Sequence, residues 1–170
     1  MLTDNKELQI HVPFLPEHYQ AIRVLFREYF ELICRLPGMD VHADIQNPDA
    51  EIAELETGKY APPSGALLLA VYKGEYAGAV ALRKLTPGIC EMKRLYVNPK
   101  GWGASIGYQL ALAIIQKGRD MGYKKIRLDT HPDLKKAQSL YYSIGFYDIP
   151  RYNNNSVPGA LFMELNLDPA

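Results

Sequence analysis

Glu91-Met92-Lys93-Arg94-Leu95-Tyr96-Val97-Asn98-Pro99-Lys100-Gly101-Trp102-Gly103-Ala104-Ser105-Ile106-Gly107 decides the reading of this chain. A strand-like run, Ile89 to Val97, stops at Pro99 and passes through small residues into a helical pattern from about Ser105 to Met121. Where a strand feeds a helix in this way, the first backbone N–H groups have no intrahelical partner and the helix dipole adds partial positive charge. A phosphate or pyrophosphate fits such a point, and a plain glycine-rich connection has about equal claim. The P-loop is excluded, because no Gly-Lys-Ser/Thr ends the loop. The dinucleotide fingerprint is excluded as well, since position 106 is Ile and the loop follows several antiparallel-looking strands.

Working outward, Ala66 to Tyr72, Tyr76 to Arg83 and Ile89 to Val97 read as successive strands, punctuated by Lys73-Gly74-Glu75 and Thr86-Pro87-Gly88. Upstream, Leu8 to Leu15 reads as a first strand ending at Pro16. Ile22, Leu25, Phe26, Tyr29 and Ile33 then mark an amphipathic helix stopped by Pro37-Gly38, and a short helix is expected near Asp49 to Leu55. Downstream come a strand at Lys125 to Asp129 and a helix at about Asp133 to Ser143, with Ala137, Leu140, Tyr141 and Ile144 on one face. The segment from Phe146 to Leu167 suggests two short strands around Asn153-Asn154-Asn155. The order β-α-(α)-β-β-β-α-β-α-β-β is an α/β (α+β) arrangement with a mixed sheet.

The 170 residues fit one domain spanning 1–170. With 48% hydrophobic and 22% charged residues the composition is that of a globular protein. The 19 basic and 19 acidic side chains cancel, so no net field favours nucleic acid or an anionic membrane, and a small-molecule partner is the better expectation. The longest apolar stretch, Ala66 to Tyr72, is too short to span a bilayer, and the first residues lack a signal-peptide pattern. Cys34 and Cys90 both read as buried small hydrophobes, which implies a reduced, cytoplasmic protein. His11, His18, His42 and His131 are scattered, so no metal is expected.

The quoted loop resembles the acetyl-CoA-binding motif of the GNAT N-acetyltransferase superfamily, a strand ending Val-x-Pro followed by Arg/Gln-x-x-Gly-x-Gly/Ala. Its longer form falls on Trp102, Gly103, Ala104, Ser105, Ile106 and Gly107; Trp102 stands where Arg or Gln is usual, and Ser105 where the middle Gly is usual. Ala137 to Phe146 resembles the family's Asn-x-x-Ala-x-x-Leu-Tyr-x-x-x-Gly-Phe signature, with Leu134 in place of the Asn. The two matches lie in the right order, and the resemblance covers roughly residues 66 to 166.

The resemblance implies a mostly antiparallel central sheet flanked by helices, with strands 4 and 5 splayed and a bulge in the fourth. It implies acetyl-CoA as co-substrate, held by backbone groups of Leu95, Tyr96 and Val97, by the loop Trp102 to Gly107, and by Ala137 and Tyr141. It casts Tyr141 as the acid that meets the departing thiolate and Glu91 as the base, directly or through water. Glu91 has a structural alternative, an ion pair with Lys93 or Arg94. Ser105 is expected to cap the helix or donate to phosphate. The acceptor would be an amine of a small molecule, amino acid or peptide, attacked directly in a ternary complex, by a monomer or homodimer. Candidate acceptor contacts in residues 26–65 and 148–160 and nearby are Tyr29, Tyr60, Tyr147, Arg151 and Tyr152, each of which could equally be packing. A non-catalytic acyl-CoA-binding module and an unrelated nucleotide-binding domain are the competing readings.

Overall fold

A computed structural model describes residues 7–40 and 47–168. Its elements run β1 (Leu8–His11), α1 (Pro16–Cys34), α2 (Pro48–Ala53), β2 (Ala66–Tyr72), β3 (Glu75–Thr86), β4 (Ile89–Val97), α3 (Ile106–Asp120), β5 (Lys125–Thr130), α4 (Lys135–Ile144), β6 (Tyr147–Asp148) and β7 (Leu161–Asn166). One sheet in the order β1-β2-β3-β4-β5-β7-β6 holds every strand. All neighbours are antiparallel except β4 and β5, which are parallel. This is the mixed, mostly antiparallel α+β architecture that the resemblance implies.

Most element boundaries follow the sequence pattern, and the exceptions have local causes. The first strand stops at His11, and Pro16 opens α1 rather than merely ending a strand. Proline suits a first helical turn, where its missing N–H would have no partner. Asn47 caps α2 by accepting the Ala50 N–H at 3.0 Å.

Because side chains alternate across strands, β2 feeds two cores. Leu68 and Ala70 pack with Leu110, Ile114 and Ile115 of α3, while Leu67 and Leu69 pack with Ile22, Leu25 and Phe26 of α1. Cys90 is buried in the first core, but Cys34 is exposed at the end of α1, against expectation. The apolar stripe of α1 ends at Ile33, so the next residue turns out of it.

The central irregularity lies in β4. Ala79 pairs with Tyr96 and Ala81 with Lys93, so Arg94 and Leu95 together stand opposite Val80. Arg94 takes a left-handed backbone at φ 59°, as the inserted residue of a bulge can. Its parallel pairing with β5 extends only from Ile89 to Glu91, opposite Lys125 to Arg127. Beyond Glu91 the two strands diverge, which is the splay expected.

The Arg94 side chain fixes this bulge to α2. Its Nε donates to Glu51 Oε1 at 2.8 Å and its Nη2 to Oε2 at 3.0 Å, with both side chains under 10% exposed. Lys59 and the Tyr60 hydroxyl also donate to Glu51, at 2.8 and 2.9 Å. Burial pushes the Glu51 carboxyl up, but Arg94 and Lys59 outweigh it and hold the pKa at about 2. Since the folded value lies below the unfolded one, this stability is complete above about pH 4.5 and drains away as pH falls toward 2. Glu51→Ala strands Arg94 and should cost roughly 3–5 kcal/mol in urea unfolding at pH 7. It should also flatten the loss of stability between pH 4.5 and 2 that the unmodified protein shows.

Candidate active site

Divergence of β4 and β5 opens a cleft of about 800 Å³ of empty space, part of it open to solvent. Lys93, Arg94 and Leu95 line one wall and Leu128, Asp129 and Thr130 the other. Ala137 and Tyr141 of α4, with Leu134 just before that helix, close one end, while Tyr29 and Ile33 of α1 with Met39 form an apolar side. Five residues expected at the site therefore meet here: Leu95, Ala137, Tyr141, Tyr29 and, through its ring 6.4 Å from that of Tyr29, Tyr96.

Tyr141 is brought in by the apolar face of α4, where its ring packs edge-on against Phe146. Its hydroxyl has no hydrogen-bond partner among the described residues, although the residue is only 8% exposed. Burial, with Tyr29 and Asp129 nearby, holds its pKa well above that of free tyrosine. At neutral pH the cleft therefore contains a protonated phenol with an unspent donor. Tyr142 points away, 45% exposed and donating to Asp148 at 2.8 Å.

Past Val97 the chain makes a short turn and enters α3. Gly103 and Ser105 both take positive φ, 82° and 56°. The Ser105 hydroxyl does not cap the helix, contrary to one expectation, because a left-handed N-cap turns its side chain away from the first turn. The helical ladder begins with Gln109 N–H donating to Ser105 O at 3.1 Å. The amides of Ile106, Gly107 and Tyr108 precede it and have no intrahelical acceptor. A Cβ on Gly107 would meet Leu140 and Val97 methyls at 3.7 Å, an ordinary contact, so packing alone does not demand glycine there. Trp102 is 73% exposed, and its indole N–H donates to Val97 O at 3.3 Å.

Glu91 does not line the cleft. It is 0% exposed; Arg83 Nε donates to Oε1 at 2.8 Å, Lys93 Nζ lies 3.6 Å from Oε1, and the Tyr152 hydroxyl donates to Oε2 at 2.7 Å. The register that sets Arg83 opposite Glu91 selects the partner. Arg94, an alternative partner on sequence grounds, goes to Glu51 instead. Direct contact between Glu91 and an acceptor is thus not available.

Of the other candidate acceptor contacts, Tyr60 is 2% exposed and sits in the α1 core against Phe26. Tyr147 is on β6, donating to Glu164 at 2.6 Å. Arg151 is exposed and bonds Asn153 O. These three are structural or superficial. Tyr152 touches the site only through Glu91, with its ring under Arg127.

Two charged residues that the sequence reading missed as site members are Lys93 and Asp129. Lys93 Nζ donates to Asp129 Oδ1 at 3.2 Å, and Asn153 and Asn155 donate to Oδ2 at 3.2 and 2.8 Å. Burial pushes the Asp129 carboxyl up, but Lys93 and the two amides overcome it and hold the pKa at about 2. Alternation in β5 gives a clue, since Ile126 and Leu128 face the α3 core and leave Asp129 on the face of Glu91 and Lys93. His131 also lines the cleft; its Nδ1 accepts the Asp133 N–H at 3.0 Å, and its Nε2 donates to Pro37 O at 2.7 Å.

No thiol is placed for nucleophilic work. Burial pushes the Cys90 pKa up to about 12, and Cys34 is exposed outside the cleft. Among the described residues no group of three His, Cys, Asp or Glu side chains could hold a metal, and His42 lies outside them. No described helix is long and apolar enough to cross a membrane.

The family model described as the acetyltransferase (GNAT) family matches residues 19–146, and the chain belongs to that family. It is 37% identical over 155 residues to an uncharacterized N-acetyltransferase of Schizosaccharomyces pombe, covering 90% of this chain and 91% of that one. Its fold matches a GNAT-family acetyltransferase of Staphylococcus aureus Mu50 with TM-score 0.75 and 19% identity, over 95% of this chain and 99% of that chain. It also matches YncA of Salmonella typhimurium, solved with its cofactor acetyl-CoA, with TM-score 0.72 and 16% identity over 96% of each chain.

Removing the Glu91 charge leaves Arg83 without its partner in a setting where Glu91 is wholly buried. Glu91→Ala should therefore lower the unfolding free energy by roughly 3–5 kcal/mol, measured by urea titration. A loss below about 1 kcal/mol would mean that the cluster is not a structural unit.

Proposed function

We propose that this chain transfers the acetyl group of acetyl-CoA to an amine by direct attack in a ternary complex. The observation that carries the reading is Tyr141, a buried and protonated phenol with no partner among the described residues, opening onto the gap between β4 and β5. Its place in the acetyltransferase (GNAT) family and the acetyl-CoA bound to YncA support the choice of donor.

The residues present fit the co-substrate. The unpartnered amides at the start of α3 would take the pyrophosphate, and the separated edge of β4 at Leu95 to Val97 would pair with the pantetheine amides as a strand would. Val97 O is already engaged by the Trp102 indole, so that side chain shares or yields the carbonyl. Bound acetyl-CoA supplies a thioester, a carbonyl already activated toward amines.

For the chain's own residues, the tasks are to position the amine, to polarise the carbonyl, to take two protons from nitrogen and to give one to sulfur. Backbone N–H groups around the β4 bulge serve the carbonyl oxygen. As the nitrogen–carbon bond forms and the carbon–sulfur bond breaks, Tyr141 donates its hydrogen bond to the sulfur, which leaves as the thiol once protonated. The ammonium form of an alkyl amine has a pKa of about 10.4 and must shed its proton to react. That proton, and the second one the nitrogen sheds after it attacks, leave by way of water at the Asp129–Lys93–Glu91 chain, since Glu91 itself is enclosed. Solvent returns a proton to Tyr141, so the turnover yields amide, CoA and one proton.

Tyr141→Phe keeps the ring and its packing, so it should lower kcat by an amount corresponding to about 2.7–4 kcal/mol while acetyl-CoA affinity stays close to that of the unmodified protein. Tyr142→Phe is the control and should change kcat less than twofold. Equal small effects would favour a non-catalytic acyl-CoA-binding module. For the loop, Gly107→Val should weaken acetyl-CoA binding at least tenfold by calorimetry without unfolding the protein, as the open surroundings of its Cβ allow.

A further inference from the structure

The charged groups of the cleft are few, and their unused hydrogen-bonding capacity can be counted. Lys93, Arg94 and Asp129 line it. Arg94 is committed to Glu51 through two bonds. His131 accepts the Asp133 N–H on Nδ1 and meets Pro37 O through Nε2, so both its ring nitrogens are already taken. Among the described lining residues one cation and one anion remain, 3.2 Å apart.

Each of these has one position to spare. A lysine ammonium carries three donors; Asp129 Oδ1 takes one at 3.2 Å and Glu91 Oε1 another at 3.6 Å. Asp129 Oδ2 is filled by Asn153 and Asn155, while among the described residues Oδ1 accepts from Lys93 alone. A spare N–H thus sits beside a spare carboxylate lone pair, in a cleft that Tyr29, Ile33, Met39 and Val157 also line with apolar surface.

Resting on the acetyl-transfer reading above, we infer that the acceptor is an α-amino acid with an apolar side chain, acetylated on its α-amine. Its ammonium donates to Asp129 Oδ1, its carboxylate accepts from Lys93, and its side chain packs against the α1 wall. A zwitterion is the head group that meets adjacent opposite charges without leaving either uncompensated. A polyamine is disfavoured, because among the described lining residues its further ammonium groups would find apolar surface and Lys93 rather than anions. A polyanion fails for the converse reason. The products are the N-acetyl amino acid and CoA, with the amine's proton released to water.

The test is CoA release by the full chain with leucine, methionine and phenylalanine. Each is paired with its carboxamide and its decarboxylated amine, and leucyl dipeptides and spermidine complete the panel. Carboxamides have the less basic amine and hence more free nucleophile at pH 7.5, so chemistry alone favours them. The free acids should nevertheless exceed them in kcat/KM by about 10- to 100-fold, the effect of one charge-assisted hydrogen bond. Lys93→Met should bring the acid-to-amide ratio to within about threefold of one. The substrate comparison stands on the unmodified protein even if that variant does not fold. Carboxamides, dipeptides or spermidine matching or exceeding the free acids would overturn the inference while leaving acetyl transfer intact. Acetyl-CoA binding by calorimetry with no turnover of any amino acid would overturn it too. Absence of acetyl-CoA binding would instead remove the reading on which it rests.

Discussion

Arg94 sits in the middle of a strand with a left-handed backbone, and its guanidinium is held by both oxygens of Glu51. Neither feature is stable alone. A non-glycine residue at φ 59° is disfavoured, and a buried guanidinium without a counter-charge is costlier still. Together they fix the inserted residue, and the inserted residue turns β4 away from β5. The cleft, the separated strand edge and the position of Lys93 all follow from that turn. The ring faces of Tyr29 and Phe30, 5.7 and 4.9 Å from the guanidinium, add cation–π support from α1. The opening between β4 and β5 is thus clamped by α1 and α2, two elements on the opposite side of the sheet from α3 and the turn that leads into it.

The sheet separates two kinds of work. The side packed on α3 is apolar throughout, with Leu82, Cys90, Met92, Ile126 and Leu128 in one continuous core. The other side carries Arg83, Glu91, Lys93, Arg127, Asp129 and Glu164, joined by ion pairs that run across β3, β4, β5 and β7. Charges on a sheet face are tolerable only when each has a partner and something covers them. Tyr152, Asn153 and Asn155 provide that cover and spend their polar atoms on Glu91 and Asp129. The β6–β7 connection is therefore less a loose loop than a lid cemented to the charge network.

The fold was readable because local patterns decided it. Period-two runs broken by Gly and Pro gave the strands, and the 3.6-residue repeat placed Tyr141 on the buried face of α4. The start of α3 was readable from its small residues. What could not be read depended on pairing between distant residues. Glu91 and Lys93 were visible as charges in a strand, yet only the β3–β4 register assigns Arg83 to Glu91, and only the bulge sends Arg94 to Glu51. Asp129 does not stand out in the sequence, because its importance arises where β5 leaves β4, a property of neither strand alone. Tyr60 and Tyr147 illustrate the limit from the other side. A tyrosine's sequence neighbours do not say whether its hydroxyl ends on Glu51, on Glu164 or in a cleft. The hydroxyl of Ser105 suggests a helix cap, and only its positive φ, which the sequence does not show, turns it away from that role.

A continuous sheet has two margins where hydrogen-bonding groups lack a neighbour; this one has four. Besides β1 and β6 at its outer limits, the parting of β4 from β5 exposes an inward margin on each. Strand margins invite pairing with any extended chain, and that is ordinarily a route to association between molecules. Here they face each other, so a chain entering between them must be narrow, extended and able to bond on two sides. The Trp102 indole blunts part of this attraction by occupying Val97 O. Bulky or folded intruders are rejected by geometry before any question of charge arises, and the same gap that would nucleate aggregation on an open surface becomes a filter for slender polyamide ligands.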